Sequence, residues 1–195
     1  PIETELSFDL FTLEPAAPRF RLIVRGSPAS LAGTLYAEYG DDSLIAGKPD
    51  SKESFALPDP DDLLSYRVRN RDEELRALEL LSTAGLQGDT GDTLSHVVGK
   101  REVLGFLGTH LPALRRRGWR VELEGRVKPF FESCDFAAPV VRINESSGRN
   151  WFDVSFDFED GTGSSISQSD VQLAIRRGES FVERNGRYLL SDADA

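Results

Sequence analysis

The hydrophobic pattern opens with alternation. Between Pro18 and Arg25, Phe20, Leu22 and Val24 share one parity while Arg19, Arg21 and Arg25 take the other, which marks a strand with one wet face. Gly26, Ser27 and Pro28 supply a turn, and Leu31 to Tyr39 follows as a second strand with Leu35, Ala37 and Tyr39 on one side, so a hairpin is predicted. Asp41 to Asp62 is rich in Asp, Ser, Pro and Gly and reads mostly as loop, with a short strand at Ser54 to Leu57. At Asn70 the pattern turns helical. Asn70 is an N-cap with Glu73 at the reciprocal position, and Asp72, Glu73 and Glu74 complement the positive end of the helix dipole. Leu75, Leu78 and Leu81 then line one face, and Gly85 stops the helix. Gln87 to Thr93, with its glycines and aspartates, reads as a linker and domain boundary.

A second helical stretch covers about Lys100 to Arg117, where Val103, Leu107, Leu111 and Leu114 form the apolar stripe. Pro112 interrupts it, so either the helix kinks there or Thr109 caps a new helix with Pro112 in its first turn. After Gly118, a strand is predicted with Trp119, Val121 and Leu123 on one side. Phe152, Val154, Phe156 and Phe158 alternate with polar residues and predict a strand whose apolar face floors a core, with Asp160 and Gly161 turning the chain. A capped helix follows: Ile166 staples to Val171, Ser167 caps with Asp170 in the box position, Arg176 and Arg177 complement the last turn, and Gly178 ends it. Phe181–Val182 and Arg187 to Leu190 flank Asn185 and Gly186, a preferred pair for a tight hairpin turn. The pattern predicts an α+β fold, mainly antiparallel sheets with about three helices. It divides into two small subdomains, an acidic one at 1–98 and another at 99–195.

Composition sharpens this picture in three ways. Residues 1–99 hold 9 basic and 18 acidic groups, net −9, whereas 100–195 hold 14 and 15, net −1. The first half is expected to repel a phosphate backbone, so any nucleic-acid contact must come from a local patch. No stretch is long and apolar enough to span a membrane, and a single cysteine, Cys134, excludes an internal disulfide framework, which makes the cytoplasm the expected location. With Pro1 first and no methionine, the chain reads as a piece of something longer.

Candidate chemistry is sparse. Gly47 and Lys48 are the nearest approach to a phosphate loop, but Pro49 replaces the magnesium-binding hydroxyl and Asp42 stands where the first glycine belongs. His96, His110 and Cys134 have no ligand-pair spacing, and Asp89 and Asp92 lack the alternating ligands and closing Glu of a calcium loop. The serines lack a nucleophile elbow. No catalytic, cofactor-binding or metal-ligating residue is assigned. Arg115, Arg116, Arg117 and Arg120 form the strongest basic run, read first as a helix C-terminus complementing its dipole and second as a phosphate or partner contact. Trp151 lies opposite the phenylalanine parity and is a candidate stacking or interface residue.

The stretch Trp151, Phe152, Asp153, Val154 and Phe156, then Gly161, the helix to Arg177 and Gly178, and the hairpin through Asn185, Gly186, Tyr188 and Leu190 resembles the bacterial SWI/SNF-type helicase-associated domain. That region lies upstream of the motor in bacterial Snf-family DNA-dependent ATPases. Supporting matches are Arg71, Asp72 and Glu74, then Phe106, Leu107, Leu111, Pro112, Leu114, Gly118 and Trp119. The resemblance spans roughly residues 18–190, strongly after 100. It implies a non-catalytic accessory module whose partner is the motor domain of the same parent chain, with weak DNA contacts at most. ATP and magnesium are implied for the parent motor and not for this segment. The alternative is a protein-recognition module offering a sheet edge or groove, with a hydrolase a distant third.

Overall fold

The computed structural model describes residues 11–49, 56–59, 61–62, 64–145, 152–159, 165–179, 181–184 and 187–191. It has an α+β fold with mostly antiparallel sheets. Contacts divide it into two compact units, each discontinuous in sequence. Unit 1 comprises Pro1–Ile23, Gly33–Ser95 and Gly118–Glu122, and unit 2 comprises Val24–Ala32, His96–Arg117 and Leu123–Ala195.

The first strands are β1 (Thr12–Pro15), β2 (Arg19–Ser27) and β3 (Ser30–Tyr39). The predicted alternation holds in β3, where Leu35, Ala37 and Tyr39 are buried. In β2, Ile23 is buried along with Leu22 and Val24, so the strand is covered on both faces at its centre, which its alternation does not signal. β4 (Asp42–Ile45) departs from the predicted loop. Gly40 and Asp41 form a two-residue turn that folds Asp42 back opposite Tyr39, a pairing carried by turn chemistry with little hydrophobic pattern. β5 (Ala56–Pro58) overlaps the predicted short strand, whose Ser54 and Phe55 lie outside the described residues. β5 pairs antiparallel with β6 (Ser65–Val68), which pairs in parallel with β1.

Helix α1 (Arg71–Thr83) starts as the sequence predicts, with the Asn70 side chain accepting from the Glu73 N–H at 3.2 Å. The reciprocal half of the capping box is replaced. The Asn70 N–H donates to the Tyr39 hydroxyl (3.0 Å) and not to Glu73. At the other end Gly85 adopts φ 87°, and the Gly85 and Leu86 N–H groups donate to the Ser82 and Leu81 carbonyls in a Schellman closure. The buried face is Glu74, Ala77, Leu78 and Leu81. Leu75, placed on that face by its spacing, is 48% exposed.

The segment predicted as a linker is docked within unit 1. Gly91 donates to the Ala46 carbonyl (2.8 Å) and accepts from the Leu35 N–H (2.9 Å), while Ala46 donates to the Leu35 carbonyl (3.1 Å). This closed ring of three backbone bonds needs a residue without a side chain, because a Cβ on Gly91 would overlap the Leu35 carbonyl oxygen. Gly91→Ala is therefore expected to cost about 1–3 kcal/mol in denaturant unfolding. A change within about 0.5 kcal/mol, the usual range for an exposed site, would mean that the segment is not docked.

In unit 2, β7 (Val97–Val98) pairs antiparallel with Ser30 and Leu31. One continuous helical run then comprises α2 (Lys100–Gly105), a π-helical turn (Phe106–His110) and α3 (Leu111–Arg116). Pro112 explains the irregularity. It cannot donate to the turn before it, and the preceding N–H, from Leu111, reaches back five residues to the Phe106 carbonyl. Pro112 lies in the first turn of α3 as expected, but the residue preceding that helix is His110 and not Thr109. The apolar stripe is as predicted, with Val103, Leu107, Leu111 and Leu114 buried.

β8 (Arg120–Gly125) follows the buried Trp119, and the order β4-β3-β2-β8 makes one sheet. α4 (Val127–Glu132), which no sequence signal above anticipates, precedes the long β9 (Asp135–Glu145). The alternating segment forms β10 (Phe152–Glu159), antiparallel to β9 with Phe156 opposite Val141. The expected core face of its side chains, and the Asp160–Gly161 turn, lie outside what the structure describes. β11 (Ser165–Ile166) leads into α5 (Gln168–Arg176), where the Ile166–Val171 staple is present: both are buried in one cluster with Leu189. Gly178 adopts φ 63°, and the Glu179 N–H closes onto the Ala174 carbonyl (2.9 Å). β12 (Phe181–Arg184) and β13 (Arg187–Ser191) pair antiparallel with Arg184 opposite Arg187, the register of the predicted hairpin. Asn185 and Gly186 themselves lie outside the described residues. The sheet order is β11-β10-β9-β13-β12, with β13 parallel to β9.

Candidate functional site

The most concentrated chemistry in the described residues is a buried ionic cluster in unit 1. Three local features assemble it. The end of β3 supplies Tyr39, the residue before the α1 cap supplies Arg69, and the first turn of α1 supplies Glu74. Both charged residues are excluded from water, with Glu74 0% and Arg69 7% exposed.

All the acceptor capacity of Glu74 is filled from within the chain. Oε1 accepts from Arg69 Nε (2.9 Å) and the Tyr39 hydroxyl (2.7 Å). Oε2 accepts from Arg69 Nη2 (2.6 Å) and the Gly47 N–H (2.8 Å). Four donors meet the roughly four lone-pair directions of a carboxylate. The Arg69 guanidinium also donates to the Ile45 carbonyl at 3.2 Å, and Tyr39 accepts from Asn70 as described above.

Two opposing effects set the charge state of Glu74. Burial pushes its carboxyl up, but the donors from Arg69, Tyr39 and Gly47 outweigh burial and hold it below its ordinary value. The Tyr39 phenol is pushed far up, mainly by burial and then by its bond to Glu74. A general base needs a free lone pair within reach of a substrate and a pKa near the working pH. Glu74 has its lone pairs committed and its proton affinity lowered, so the cluster clamps β3, the Ile45–Lys48 segment and α1 together.

The cluster also accounts for the glycine–lysine pair at 47 and 48. The Gly47 N–H is committed to Glu74, and the Lys48 ammonium pairs with Asp92 at 2.8 Å. Lys48 and the Thr90 hydroxyl hold the Asp92 carboxyl below its ordinary value. Among the described residues, no three of His, Cys, Asp and Glu converge to hold a metal ion. His96 is exposed. Burial lowers the His110 imidazole, and burial, reinforced by Asp135, pushes the Cys134 thiol up to about 11, against thiolate formation.

The basic run is divided. Arg115 and Arg116 occupy the last turn of α3, and Arg117 is its C-cap, the dipole-complementing placement that the sequence favours. The Arg115 guanidinium lies over the Phe131 ring at 5.9 Å. Arg120 belongs to unit 1, at the start of β8, and pairs with Glu122 at 2.8 Å. Trp151 lies outside the described residues.

Sequence reasoning missed Glu74 because a carboxylate in a first helical turn is already explained by the helix dipole. The usable signal was Arg69 five residues earlier, a cation able to neutralise it in a core. No known family model matches this sequence, and no curated protein is significantly similar to it.

Proposed function

We propose that this chain is a non-catalytic accessory or regulatory module of a bacterial Snf-family DNA-dependent ATPase, positioning or coupling the motor domain of the same parent chain. One observation carries the reading: residues behind the resemblance are occupied with holding the fold. Leu107, Leu111 and Leu114 are buried, and Pro112 sits in the first turn of α3. Trp119 packs on Phe20 with ring centroids 4.9 Å apart, and Glu74 is consumed by its own cluster. Nucleotide and magnesium would then be bound by the parent's motor, and DNA contacts through Arg115, Arg116, Arg117 and Arg120 would be weak and salt-sensitive.

An ATPase assay with and without DNA should stay at background. Labelled duplex and single-stranded DNA titrated at about 50 and 150 mM salt should bind weakly, losing affinity as salt rises. Adding the parent's motor domain in trans should produce association and altered DNA-stimulated turnover. Submicromolar, salt-resistant DNA binding, or turnover abolished by a point mutation in this chain, would overturn the proposal.

A further inference from the structure

We propose that the outer face of α1 is a docking groove for a cationic, leucine-bearing segment of another polypeptide. Leu75, Leu78, Glu79 and Ser82 form a helical stripe, and Gln87 and Asp89 of the docked loop line the opposite side of an open groove of about 430 Å³. Leu75 supplies an apolar anchor point. It sits at a position whose spacing favours burial, yet Glu74 takes the core place beside it and Leu75 remains 48% exposed. A single exposed leucine is ordinary on a protein surface, and Leu75 gains meaning from lining a concave groove together with two exposed carboxylates.

Charge selects the occupant. The charged residues lining the groove are Glu79 and Asp89, both exposed carboxylates. Unit 1 as a whole holds 9 basic and 19 acidic residues, net −10, while unit 2 holds 14 of each, net zero, so the net charge of the chain belongs to the unit that carries the groove. Such a field attracts Lys and Arg and repels nucleic acid and anionic membranes. The loop wall is fixed by the Gly91 bonds to Leu35 and Ala46, and therefore needs no large rearrangement to receive a ligand. This inference stands whether or not the parent is a DNA motor.

The test uses the full chain and three fluorescent peptides of equal length: one of Leu and Lys, a charge-reversed one of Leu and Glu, and one of Ser and Lys. Amide chemical shifts locate the contact, and anisotropy measures affinity. The Leu/Lys peptide is expected to bind saturably and shift amides at 75–82 and 87–89, the Leu/Glu peptide not to bind, and the Ser/Lys peptide to bind at least about tenfold more weakly. Leu75→Ser and the pair Glu79→Lys with Asp89→Lys should each weaken the Leu/Lys peptide by about tenfold or more. Their unchanged melting temperatures would exclude unfolding as the cause. Equal binding of the Ser/Lys peptide, unchanged affinity in both variants, or shifts confined to other residues would overturn the proposal.

Discussion

Arg69→Met is expected to destabilise the protein by about 3–5 kcal/mol at neutral pH, because it leaves the Glu74 carboxylate buried without its main partner. Methionine keeps most of the volume, so the loss reports charge and hydrogen bonding more than packing. The pH dependence identifies the cause. In the wild type the Glu74 carboxyl is held below its ordinary value, so its contribution is present above the unfolded-state pKa and is lost as pH falls through the lower folded value. In Arg69→Met, burial is opposed only by the Tyr39 and Gly47 donors, and the carboxyl is expected to rise above its unfolded value. Its proton is then taken up on folding, and the variant loses stability as pH rises. The gap between variant and wild type should therefore narrow between about pH 7 and pH 4. Denaturant unfolding with residue-resolved amide exchange in unit 1 measures this, and a pH-independent gap would assign the loss to packing. Arg69→Met combined with Glu74→Leu should recover only part of it, since the Tyr39 hydroxyl and Gly47 N–H lose their acceptor.

Phe106→Ala is expected to cost about 3–5 kcal/mol by opening a cavity in unit 2. Phe106 is 1% exposed, starts the π-helical turn and offers its carbonyl to Leu111, so little local freedom remains to collapse around a smaller side chain. Leu75→Ala supplies the contrast. Both residues are apolar and helical, but Leu75 is largely in water, and its truncation should fall within about 0.5 kcal/mol. A loss below about 1 kcal/mol for Phe106→Ala would contradict the packing of the π-helical turn.

These two residues mark the limit of what the sequence discloses. Local codes were legible: the Asn70 cap, the Gly85 and Gly178 stops, the Ile166–Val171 staple and the β12–β13 register all depend on neighbours within a few residues. Non-local pairings were not. β1 aligns in parallel with β6 across more than fifty positions, and nothing in four short residues of either strand specifies that partner. Composition misled at Gln87–Thr93, where glycine serves close backbone approach and its polar neighbours suggest a linker. Leucine spacing misled at α1, because hydrophobic periodicity cannot register a carboxylate neutralised by an arginine and a tyrosine from outside the helix. The irregular helix at Pro112 was legible as an anomaly, but its resolution by a π-helical turn was not.

The structural character of the Tyr39–Arg69–Glu74 cluster is tested most directly by titrating the Glu74 side-chain carboxyl with carbon-detected NMR in the intact chain. A committed counter-ion should remain ionised as pH falls through the ordinary carboxylate range, titrating only below it or together with acid unfolding. A carboxyl that instead takes up its proton above that range, toward neutral pH, would contradict the clamp and make Glu74 a candidate acid or base.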